Sequence, residues 1–174
     1  MDNSMYLPLP QPDEISTREK EDAMGGYLMM FAAMAAGLPL PIINLIASIV
    51  YYYINKNKSR FIHFHALQSL LSQIPTTVIN WVALFWTLQI FLFDNYVISD
   101  YYYAYIIFMV VMNIAYFIFS LIAATKSRKG TFYYFIFFGS FAYEQVFKKT
   151  NRTLYKNEEQ PELEESRVVN QPPF

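Results

Sequence analysis

The sequence predicts an all-α, multi-pass transmembrane helical bundle: two long spans, a broken or hairpin first segment, and an aromatic interfacial or fourth helix. Two observations carry that expectation. Residues 24–54, 66–93 and 101–125 contain no Asp, Glu, Lys or Arg, and each exceeds the ~18 apolar residues that mark a span, ~20 helical residues crossing the ~30 Å hydrocarbon core. More than half of the chain is hydrophobic and 19% is aromatic, a profile prone to aggregation in water and ordinary in lipid. Helices follow because backbone amides in lipid have to be satisfied within their own segment.

The first 23 residues carry Asp2, Asp13, Glu14, Glu19, Glu21 and Asp22 against Arg18 and Lys20. That charge pattern fits neither a signal peptide nor a transit peptide. Pro8, Pro10 and Pro12 predict an extended, disordered lead-in. Residues 24–54 would run ~46 Å as one helix, beyond the core thickness. Gly37-Leu38-Pro39-Leu40-Pro41 interrupts them, and the residue before a proline avoids the helical region. One reading is a single kinked span. The other, favoured here, is a hairpin of two short helices or a re-entrant element, which keeps all thirteen Lys and Arg on one side.

Blocks two and three form a hairpin. Lys56, Lys58 and Arg60 precede it and Lys126, Arg128 and Lys129 follow it, while its loop holds Asp94 and Asp100 with no base. By the positive-inside rule the loop faces away from the cytoplasm. Residues 131–147 are aromatic with basic flanks, which suits an interfacial or re-entrant helix more than a fourth span. Residues 151–174 are Glu- and Pro-rich and read as a second disordered tail. The expected membrane domain is therefore 24–150, with both termini in the cytoplasm.

Polar residues in the blocks recur at helical spacing. His65, Gln68, Ser69, Ser72 and Thr76 share one face of the second block, with Asn80 at its margin. Asn44, Ser48, Tyr51 and Asn55 form a stripe in the first block, and Asn113, Tyr116 and Ser120 one in the third. Such stripes serve either as interhelical hydrogen-bond glue or as the lining of a polar groove with Lys56, Lys58 and Arg60 at its mouth. The spans hold no ionisable acid or base of the kind that proton- or ion-coupled transport needs at depth. His63 and His65 are too few for a metal site, and cysteine is absent. A Ser69–His65 pair has no third orienting group in view. The sequence thus points to no enzyme, cofactor or metal, and to no nucleic acid.

Phe64-His65-Ala66-Leu67-Gln68-Ser69-Leu70, the Gly37, Pro39, Pro41 and Asn44 set, and Ala123-Ala124 followed by Lys129-Gly130 and aromatics resemble the Tic-twenty-like family. That family comprises a channel-type subunit of the plastid inner-envelope translocon and small bacterial membrane proteins. The resemblance covers residues 24–147 and departs at Ser69, where the family has Ala, and at Ile136, where it has Pro. It implies four spans, termini on one side, and importance for His65 and Gln68. The expected function is protein translocation, insertion or membrane-complex assembly in a bacterial cytoplasmic (inner) membrane. Its expected partners are membrane lipids, other membrane proteins or translocating polypeptides, with homo- or hetero-oligomers compatible. The alternatives are an accessory structural subunit of a larger complex, or a small-solute or lipid carrier.

Overall fold

The computed structural model describes residues 6–32, 41–93, 98–148 and 169–173. Among them are five α-helices: α1 Thr17–Leu28, α2 Pro41–Asn55, α3 Arg60–Leu92, α4 Asp100–Arg128 and α5 Phe138–Phe147, with a 3-10 turn at Met29–Phe31. No strand occurs among the described residues, only an isolated bridge between Tyr6 and Lys148.

Local chemistry sets the helix starts. The Ser16 hydroxyl accepts from the Glu19 amide while Glu19 accepts from the Ser16 amide, a reciprocal capping box. Ser59 caps α3 through the Ile62 amide, and Ser99 caps α4 through that of Tyr102. Lys126 and Arg128 lie in the last turn of α4, favourable for the helix dipole. Gly130, at φ 76°, then turns the chain. Pro75 lies inside α3, where it removes the amide that would bond the Leu71 carbonyl.

α3 and α4 are long and apolar enough to cross a membrane, and only 11% of each apolar window is buried. That is the opposite of a soluble core helix. Their exposed apolar side chains run from Ile74 to Leu92 and from Tyr101 to Ile122. These stretches are roughly 27 Å and 32 Å long, matching a ~30 Å hydrocarbon core. The start of α3 behaves differently: the nine residues from Phe61 to Ser69 are all buried. α1, α2, α5 and the 131–137 segment pack around them, so a compact cap sits on the basic end of the α3–α4 hairpin.

α1 and α2 lie antiparallel. The Tyr51 hydroxyl donates to the Asp22 carbonyl at 2.5 Å, and Lys58 pairs with Asp22 at 2.8 Å. The Gly37–Leu40 part of the expected interruption lies outside the described residues. α5 has ten residues, about 15 Å, too short for a fourth span.

Residues 6–15 are packed, not a disordered lead-in: Leu7, Leu9 and Ile15 are buried, and the Leu7 amide donates to the Phe147 carbonyl. The physical reason is a pair of buried amides. Gln11 Oε1 accepts from the Val169 and Asn170 amides, and Asn170 Nδ2 donates to the Pro10 and Gly130 carbonyls. Asn170 thereby brings part of the expected C-terminal tail into the cap. Residues 151–168 lie outside the described residues.

Candidate functional site

The His65–Gln68 turn of α3 sits at the centre of the cap, and both side chains are fully buried. Gln68 uses both ends of its amide. Its nitrogen donates to the Tyr27 hydroxyl at 2.7 Å and to the Tyr133 carbonyl at 2.8 Å, while its oxygen accepts from the Phe135 amide at 3.1 Å. The two backbone bonds to residues 133 and 135 resemble those of a neighbouring strand, so one side chain holds an extended segment against a helix. The Tyr27 hydroxyl also meets His65 Nδ1 at 2.9 Å. That oxygen thus joins His65 and Gln68 through a single hydroxyl. His65 Nε2 is buried with no hydrogen-bond partner and the ring lies among Phe61, Phe64 and Phe132.

Ser69 donates to the Gly26 carbonyl at 2.8 Å, fastening α1 to α3 rather than pairing with His65. Gly139 lets α5 start tight against this network: a Cβ there would come within 2.7 Å of the Tyr134 backbone and 3.0 Å of Gln68 Oε1. Burial raises the ionisation of Tyr27 and Tyr134 above the ordinary phenol range. Both therefore stay neutral and able to donate.

The other predicted polar residues do not join this cluster. Ser72 and Thr76 bond back into α3, to the Ser69 and Ser72 carbonyls. Asn44 meets Gln73: with its amide nitrogen facing α2, Gln73 donates to the Asn44 carbonyl at 2.7 Å and to Ser48 Oγ at 2.8 Å. Asn113 pairs with Asn80 farther along the hairpin. The stripe thus divides into three separate contacts, most of whose hydrogen bonds are made inside the protein. A cleft of about 250 Å³ lies between α2, α3 and α4, lined in part by Asn44, Thr76 and Asn113.

At the basic end, Lys58 is paired with Asp22 and Lys56 lies over the Tyr53 ring at 4.6 Å. Arg60 begins α3 and is partly buried. His63, expected to be solvated or capping, is buried and meets the Tyr52 hydroxyl at 3.1 Å. Sequence reading missed Tyr27 and Gln73. Tyr27 followed two glycines in an apolar run with no periodic signal, whereas Gln73 stood one residue off the stripe that drew attention.

The family model of the MamF/MmsF magnetosome magnetite crystal formation proteins matches residues 23–142. The chain belongs to this family. No curated protein and no solved structure matches it. The MamF/MmsF match corrects the Tic-twenty-like resemblance and with it the expectation of protein translocation or insertion. The physical source of the error is visible in the signature itself. His, Gln and small residues at the mouth of a long apolar helix suit any fold that buries a helix start under an aromatic segment, and here they serve that packing. What stands is coarser: a helical membrane protein of the magnetosome family with two apolar helices of spanning length.

Proposed function

We propose that this chain is an integral protein of the magnetosome membrane and contributes, non-enzymatically, to formation of the magnetite crystal. The family match over residues 23–142 carries this reading. In it α3 and α4 cross the bilayer, α1 and α2 enter as a second hairpin from the same side, and both termini are cytoplasmic. The basic residues from Lys56 to Arg60 and Lys126 to Lys129 support that orientation.

The turn between α3 and α4 then faces the side that a membrane-enclosed crystal occupies. In sequence the residues joining α3 to α4 include Asp94 and Asp100 with no Lys or Arg, and Asp100 is exposed on the first turn of α4. Carboxylate oxygens are hard donors suited to iron cations or an oxide surface. A second reading, an accessory subunit of a larger magnetosome-membrane assembly, is favoured by the exposed apolar side chains along α4, such as Ile107 and Ile114.

The test is removal and restoration of the chain in a magnetosome-forming cell, with crystal size and number measured by electron microscopy. The proposal expects altered crystals that the restored chain corrects. Unchanged crystals in the deletion would overturn it. Altered crystals together with loss of one co-purifying membrane protein would favour the accessory reading.

A further inference from the structure

The Gln68 clamp has a second consequence. By gripping residues 133 and 135, it holds the 133–138 segment as a roof over a cleft between α3 and α4. The cleft has a volume of about 240 Å³, and its walls include Pro75, Ile79, Met112, Ala115, Phe119 and Phe137. We propose that it binds one acyl chain of an anionic membrane phospholipid. This rests on the membrane placement given above.

Depth comes first. Ile79 and Met112 lie within the exposed apolar stretches of α3 and α4, between Ile74 and Leu92 and between Tyr101 and Ile122, so the cleft opens to lipid and not to water. At its rim Ile136 and Phe137 are 81% and 79% exposed, a placement suited to the acyl boundary of a bilayer.

Chemistry selects the occupant. The hydroxyls near the wall are committed elsewhere: Ser72 donates to the Ser69 carbonyl and Thr76 to the Ser72 carbonyl. The interior therefore offers mainly carbon, and a polar solute would lose its hydrogen bonds on entry. Ala115 and Pro75, with short side chains, make the space. Charge completes the match. Lys126 is exposed two turns after Phe119 on the same face of α4, ~10 Å toward the basic side, where it suits a lipid phosphate.

The experiment uses the full chain extracted from its native membranes into mild detergent, with bound lipid read by native mass spectrometry. Wild type is expected to keep a phospholipid adduct through a delipidating wash. Ala115→Trp, which fills the cleft, should lower the adduct at least tenfold, and Ala115→Leu should lower it partially if the larger substitution does not fold. Ile114→Trp, on the lipid-facing side of α4 at 55% exposure, should leave it intact. Equal retention in all variants, or no adduct on wild type, would overturn the site and indicate ordinary surrounding lipid. Absence of the wild-type chain from the membrane fraction would overturn the placement beneath it.

Discussion

Asn80 and Asn113 exchange two side-chain hydrogen bonds of 3.0 Å each across the α3–α4 hairpin. Each amide also donates to the carbonyl four residues earlier in its own helix, Thr76 for Asn80 and Met109 for Asn113. The pair thus meets its donors' needs inside the apolar stretch and sets the register of the two helices. Farther along, Tyr105 donates to the Ile79 carbonyl and Thr87 meets Tyr102, each at 3.0 Å.

That pair predicts a measurable coupling. Asn80→Leu or Asn113→Leu alone leaves one amide unanswered in lipid, whereas the double replacement removes both. Unfolding in mixed micelles should show a coupling energy of about 0.6 kcal/mol and no more than about 1.7 kcal/mol, the range for interhelical hydrogen bonds in membranes. Strict additivity would contradict a direct bond.

Gln68→Ala strips partners from the Tyr27 hydroxyl, the Tyr133 carbonyl and the Phe135 amide. Leaving buried polar groups unsatisfied costs about 1–3 kcal/mol each. The expected result is selective opening of the cap, seen as faster amide exchange and proteolysis within 131–137, with α3 and α4 still helical. Uniform protection like that of wild type would show that the clamp is dispensable.

Two glycines should respond differently to alanine. At Gly139 the new methyl meets the Tyr134 backbone at 2.7 Å, which cannot swing aside, so overpacking of about 1–3 kcal/mol is expected. At Gly25 it meets the hydroxyl end of the Tyr51 side chain, so relief there costs the Tyr51–Asp22 hydrogen bond and no backbone shift. Thermal denaturation should therefore rank Gly139→Ala well below Gly25→Ala.

Alkaline pH should loosen the cap. Burial, with a smaller contribution from Tyr6, pushes the Tyr143 phenol up to about 12 from an ordinary value of 10.0. A group whose ionisation is raised by folding lends stability below its unfolded value and loses it as pH climbs through the folded one. Exposure of α5 should therefore grow between about pH 10 and 12, together with phenolate absorbance. Tyr143→Phe should shift that transition upward. An unchanged midpoint would assign it to other tyrosines.

Much of this fold is legible in the sequence, and the reasons are physical. The two long helices follow from uninterrupted apolar stretches, and the orientation argument follows from bases at one end of them. The start of α2 is readable from Pro41. The packed N-terminal strap is not, because Leu7, Leu9 and Ile15 sit among prolines and acids without periodicity, and their anchor, Asn170, is 159 residues from Gln11. His65 and Gln68 stand out because buried polar groups near a membrane need partners. Which partners they have depends on Tyr27 and the 133–135 backbone, long-range contacts that no local pattern encodes. For that reason the same signature suggested a groove and a different family.

The proposed role assigns Asp94 and Asp100, between α3 and α4 in sequence, to the crystal side of the membrane. The most direct measurement restores the deleted chain as an Asp94→Asn, Asp100→Asn double variant and compares crystal size distributions by electron microscopy, with the variant at wild-type abundance in magnetosome membranes. The account predicts crystals as altered as those of the deletion. Crystals indistinguishable from wild type would contradict it.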